Sequence, residues 1–131
     1  MTAPEKVMWL IANRALKFAD SKSELSYPEE DMDEVYQRML LQYPSYMQDA
    51  DEEVRNGDLE TDLEAPFSRH YECNIVASEL PDGTWVAYPY WHGGGQHGEP
   101  EAINWIKDAF DVEYEEEVVT IKKFRKTDLA K

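Results

Sequence analysis

A single cysteine, Cys73, stands in the 131 residues, so no internal disulfide can form and packing must hold the chain together. Long apolar runs are missing too. None approaches the roughly 20 residues that a membrane span requires, and no membrane partner is expected. The N-terminal MTAPEKVMWLIANRALKF lacks the charged, apolar and small-residue succession of a cleaved signal. Positive charge is scarce: 13 Lys and Arg face 28 Asp and Glu, a net of −15. A field of that sign repels phosphate backbones, which excludes direct nucleic-acid binding outside the small basic run KKFRK, Lys122 to Lys126. The phosphate-loop pattern, the serine nucleophile elbow and the zinc-protease helix motif are all absent. These absences predict a soluble, cytoplasmic protein.

What is present can build one domain. Apolar residues make up 42 %, with eight Tyr, four Trp and four Phe, and the length is too short for two comfortable cores. The expectation is a single domain over 1–131, with an acidic helical half (1–66) and a β-β-α-β half (67–126).

Thr2 and Glu5 have capping-box spacing with Pro4 between them, and Met8, Ile11, Ala12, Ala15 and Phe18 or Ala19 follow at helical intervals. This predicts a helix from about Pro4 to Ala19. Ser26 and Glu29 repeat the spacing around Pro28, and Met32, Val35, Tyr36, Met39, Leu40 and Tyr43 form an amphipathic stripe ending at Pro44. Ser45 would cap a short third helix carrying Tyr46, Met47, Ala50 and Val54, closed by Asn56-Gly57. Asp58 to Ser68 reads as a crossing loop.

The period then changes from 3.6 to 2. Tyr71, Cys73, Ile75 and Ala77 alternate with Glu72, Asn74, Val76 and Ser78; Leu80-Pro81-Asp82-Gly83-Thr84 is hairpin chemistry. The return strand sets Trp85, Ala87 and Pro89 against Val86, Tyr88 and Tyr90, and Pro89 marks an edge or a bulge. A helix opening at Glu99-Pro100-Glu101 carries Ile103, Ile106 and Phe110, with Trp105 mostly buried. Val118 to Phe124 reads as a third strand. The fold class is α+β: two or three N-terminal helices on a three-stranded antiparallel sheet, in the order α-α-(α)-β-β-α-β.

Four constellations could carry chemistry. His70, Cys73, His92 and His97 are metal-type ligands, but His70 and Cys73 lie an odd number apart on a strand and so face opposite ways. Cys73 shares a face with Ile75 and Ala77, as an ordinary buried thiol does, and no nucleophile motif surrounds it. The loop HGGGQHGEPE lets a backbone approach a ligand, yet it holds no Lys or Arg, and Glu99 and Glu101 occupy the helix start. Tyr90, Trp91, His92, Gly94, His97 and Glu99 form the candidate binding loop. The fourth constellation is an aromatic patch beside the glycine loop, Tyr88, Tyr90, Trp91 and His92, in which Tyr90 and Trp91 face opposite sides and one should be the more exposed. Charge adds a further candidate. Glu24 to Glu64 holds fourteen Asp and Glu against two Arg, a net of −12. Glu29, Glu30, Asp33, Asp49, Glu52 and Glu53 form the candidate acidic face.

From Val86 to about Phe110, the stretch containing YPYWHGGGQHGEPEAINWIKDAF resembles small uncharacterised proteins encoded in tailed bacteriophages and prophages. Those carry an aromatic strand, a Gly-Gly-Gly-x-His/Phe-Gly loop and a Glu-Pro-Glu helix start. The resemblance implies a phage accessory gene expressed in a bacterial cytoplasm and brings no activity with it. His92 stands where those proteins have an aromatic residue.

The expected function is therefore an acidic, non-enzymatic accessory protein whose partner is a basic protein surface, such as a nucleic-acid-binding host or defence protein. The alternative is a small metal- or ligand-binding enzyme using His92, His97 and Glu99. A homodimer through the strand edge at Pro89 is the third expectation. No catalytic residue, metal or cofactor is assigned.

Overall fold

The computed structural model describes residues 1–95, 99–100 and 103–127. Helix α1 spans Ala3–Phe18, and its capping box forms as expected: the Thr2 N–H donates to Glu5 Oε1 at 3.0 Å and the Glu5 N–H to Thr2 Oγ1 at 3.3 Å. Its buried residues are Ala3, Val7, Trp9, Ile11, Ala12, Ala15 and Leu16, whereas Phe18 is exposed. The stripe is wider than the sequence suggests, because α1 packs against both other helices and the sheet.

Helix α2 spans Met32–Gln42 and buries Met32, Val35 and Met39. It starts later than the Ser26–Glu29 spacing implies. The reason is Trp9: its indole N–H donates to the Ser26 carbonyl at 2.8 Å, and its ring meets Tyr27 edge-on at 5.1 Å. Those residues are thereby committed to α1 rather than to a helix cap. Helix α3, Pro44–Arg55, follows after Tyr43 alone, with proline in its first turn. Ser45 lies inside it instead of capping it, and Met47, Ala50 and Val54 are buried.

The sheet has four strands in sequential order, all antiparallel: β1 (Leu59–Glu60), β2 (Glu72–Glu79), β3 (Trp85–His92) and β4 (Phe110–Val112). In the β2–β3 hairpin Ile75 faces Pro89, Val76 faces Tyr88 and Ala77 faces Ala87. The turn is the expected one: Gly83 takes φ +85°, and Asp82 accepts from the Thr84 N–H at 3.0 Å.

Three expectations are corrected. The crossing loop contains β1, held by Asp58 N–H to the Ala77 carbonyl and Thr61 N–H to the Ile75 carbonyl, each 2.9 Å. The helix expected from Glu99 to Phe110 is, over its described second half, a 3-10 turn at Ile106–Asp108 followed directly by β4. Its anchor is Trp105, 3 % exposed, whose ring lies 5.0 Å from that of Tyr88. With Trp105 fixed there, Phe110 reaches β3 and pairs with Ala87. The strand expected at Val118–Phe124 does not form; that segment has no regular structure and is exposed. The sheet therefore has four strands rather than three, and its last is Phe110–Val112.

Helices cover one face of the sheet. Val76, Val86 and Tyr88 join α1, α2 and α3 in the main core. Ser78 and Tyr88 are its polar pair, with hydroxyls 2.7 Å apart, and the Tyr88 hydroxyl also donates to the Val54 carbonyl at the end of α3. Ser78 Oγ in turn accepts from the Asp58 N–H at 3.2 Å. Tyr88→Phe removes that donor from the Val54 carbonyl, which keeps the Gly57 N–H at 2.9 Å, and takes the buried Ser78 hydroxyl's partner away. It is expected to cost about 1–3 kcal/mol in urea unfolding with an unchanged m-value.

Candidate functional site

The end of the hairpin and the end of α3 meet over an arginine. Arg55 lies in the last turn of α3 with its guanidinium carbon 4.9 Å from the Tyr90 ring centroid, and its Nη2 donates to the Trp91 carbonyl at 2.5 Å. Tyr90 stacks on His92 with centroids 5.3 Å apart and planes at 22°. Both His92 nitrogens have partners: Nε2 lies 3.3 Å from Asn74 Oδ1 and Nδ1 3.5 Å from Glu72 Oε2. The row Arg55, Tyr90, His92 is thus a rigid face in which the histidine is held from two sides. Tyr90 and Trp91 are both half-buried, where the sequence suggested that one would be more exposed. Both pack against the main core, and Arg55 shields Tyr90 from one side.

One turn before Arg55, Asp51 is half-buried beside Trp105. Burial pushes its carboxyl up and the neighbouring Glu52 adds to this, while the Arg55 guanidinium and a hydrogen bond from the Trp105 side chain pull the other way. The sequence places Asp51 with Asp49, Glu52 and Glu53 on the exposed side of this helix, whereas it is half-buried, with Arg55 four residues on at the spacing of helix-surface pairs. Burial beside α3 also raises the Tyr36 hydroxyl to about 12, so it is an un-ionised phenol at neutral pH.

The described residues of metal-ligand and nucleophile type do not converge. Cys73 pairs with Trp91 on the opposite face of the sheet from His92, and burial pushes its thiol up, away from the reactive thiolate. Among the described residues no group of three His, Cys, Asp or Glu side chains is placed to hold a metal. His97 lies outside the described residues. Glu99 is exposed.

The glycine loop is built for conformation. Gly93, Gly94 and Gly95 take φ of +76°, +91° and +50° in succession. A Cβ on Gly94 would stand 2.7 Å from Tyr71 Cε1, so the ring of Tyr71 fills the space where a ligand would have to come. Next to Gly95 that space is open.

The candidate acidic residues sit at the start of α2 and along α3. Glu30, Asp33, Asp49, Glu52 and Glu53 are exposed and Glu29 is half-buried. Among the described residues the ion pairs are Lys6–Asp111 at 2.6 Å and Arg14–Glu53, and Glu72 Oε2 lies 3.5 Å from His92 Nδ1. Comparisons with known protein families, with curated proteins and with solved structures find no match. No helix among the described residues is long and apolar enough to cross a membrane.

Two outcomes follow from this geometry. Gly94→Ala combines left-handed strain of about 1–2 kcal/mol with displacement of Tyr71, whereas Gly95→Ala meets the strain alone; thermal unfolding should show the former clearly the more damaging. Asp51 is easier to ionise unfolded than folded. Its contribution to stability therefore falls as pH rises from the ordinary 3.8 to the higher folded value, then stays level. Asp51→Asn removes that loss, so a melt at neutral pH should rise, with the difference vanishing below the ordinary carboxylate range.

Proposed function

We propose that this is an acidic, non-enzymatic accessory protein that binds a basic protein surface through the start of α2 and the outside of α3. One observation carries the reading: where the cations of this region point. Arg55 turns inward onto Tyr90 and the Trp91 carbonyl, and Arg14 takes up Glu53. Glu30, Asp31, Asp33, Glu34, Asp49 and Glu52 stay exposed with no ion-pair partner among the described residues. Glu24 to Glu64 carries a net of −12, and on α2 and α3 Arg38 is the only exposed cation beside these carboxylates. Charge of this density and sign steers association with cationic surfaces and strengthens it at low salt.

Basic surfaces of that extent belong mostly to proteins that grip nucleic acid. The likeness of the Val86–Phe110 stretch to phage-encoded proteins gives the reading a context: a phage-borne inhibitor of a basic host or defence protein, acting in the bacterial cytoplasm, its negative face standing in for a DNA backbone. The raised Cys73 thiol and its separation from His92 favour binding over catalysis.

Displacement of a fluorescent DNA duplex from a panel of basic DNA-binding proteins tests this. Displacement is expected, and it should weaken tenfold or more between about 50 and 200 mM salt. The triple variant Asp33→Asn/Asp49→Asn/Glu52→Gln is expected to lose most of it while keeping its circular dichroism spectrum. Displacement that is indifferent to salt, or that survives in the triple variant, overturns the reading.

A further inference from the structure

All three helices pack on one face of the sheet, and the other face is covered unevenly. Its small core, Ile75, Ala77 and Ala87, is flanked by Ala65, Trp85 and Val112. Beside it runs a groove of about 660 Å³ between the segment Leu59–Leu63 and the segment Glu113–Glu116. Ala77, Trp85 and Val112 form the apolar floor, and Glu60, Asp62, Glu113, Glu115 and Glu116 supply five carboxylates at the walls. Such a groove fits an extended segment with apolar side chains below and cations along its flanks.

The chain itself contains that segment. Val118, Val119, Ile121 and Phe124 are 99 %, 72 %, 76 % and 92 % exposed. Lys122, Lys123, Arg125 and Lys126 are interleaved with them in the most basic stretch of an otherwise acidic protein. Extended, it sets Val118, Thr120, Lys122 and Phe124 on one side and Val119, Ile121, Lys123 and Arg125 on the other, so each side carries apolar residues and a cation, and β-branched side chains dominate its first half.

Its own groove is the wrong address. The tail leaves that groove at Glu116, which is one of the walls, so lying on the floor requires reversal within Glu117 and Val118. Nothing in the sequence makes such a turn: between Val112 and Lys126 there is no Gly, Pro, Asn, Asp or Ser. Extended, residues 117–126 reach about 33 Å, enough to cross to a neighbouring molecule. We propose that segment 117–126 docks in the outer-face groove of a second copy of this chain, and that two copies exchange these tails reciprocally. The exchange is isologous and closed: each copy gives one tail and accepts one, so assembly stops at two. This surface is separate from the acidic α2–α3 face, and the two readings stand or fall independently.

Sedimentation of the full chain at about 100 µM in low salt should give twice the 15.3 kDa monomer mass, and the dimer should dissociate as salt rises. Ile121→Asp/Phe124→Asp is expected to be monomeric with an unchanged circular dichroism spectrum, because both side chains are exposed in the single chain. Lys122→Glu/Lys123→Glu/Arg125→Glu is expected to weaken the dimer tenfold or more. Mixing it with Glu113→Lys/Glu115→Lys/Glu116→Lys should restore association between the two variants. Three results overturn the proposal: a monomer at every concentration, a dimer indifferent to the tail substitutions, or a monomer whose amides at 118–124 are protected from hydrogen exchange, which would place the tail on its own chain.

Discussion

The hydroxyl of Tyr88 is the point where the layers of this protein are tied. It lies at the centre of β3, fully buried, between the Ser78 hydroxyl on β2 and the Val54 carbonyl at the end of α3. A phenol in so dry a place must have partners, and burial raises its ionisation well above the ordinary range. Its ring meets Trp105, which fixes where the chain after the glycine loop can travel. Helix to strand, strand to strand and strand to connection are thus set by one side chain. Ser78 extends the tie to Asp58, where α3 gives way to β1.

This explains which parts of the fold could be read in the sequence. Helices and hairpin were legible because their signals are local: the Thr2–Glu5 cap, the Met32–Val35–Met39 stripe, the Asp82-Gly83 turn and period-two alternation on either side of it. Errors arose where a distant residue decides. The start of α2 moves because Trp9 claims the Ser26 carbonyl from 17 residues away. The expected helix after the loop yields to a 3-10 turn and β4 because Trp105 must meet Tyr88. Leu59–Glu60 forms a strand only because β2 offers it an edge, and nothing in its two residues announces that.

The candidate loop was half legible. Three consecutive glycines do mark a special backbone, and all three have positive φ. The sequence could not show that Tyr71 closes over Gly94, which turns an apparent ligand cradle into a packed corner. Nor could it show that Arg55 belongs to the aromatic strand, since only the meeting of α3 with β3 brings it over Tyr90. That meeting has an electrostatic consequence. By drawing a cation inward, the fold leaves the outer side of α3 more negative than its composition alone requires.

The same logic bears on the unpaired tail. Val118–Phe124 carries strand-forming residues, and Phe110–Val112 occupies the edge of β3 at Trp85–Ala87. Trp105 delivers Phe110 to that edge first, only five residues along, and the later segment pairs with no strand among the described residues. Apolar side chains and cations together in an exposed segment suit a site that another molecule supplies. The outer face, with its apolar floor and acidic walls, has the complementary chemistry and is present on every copy. Within one chain the helices satisfy only the inner face of the sheet; completing the outer face is the part of the structure that a second chain can provide.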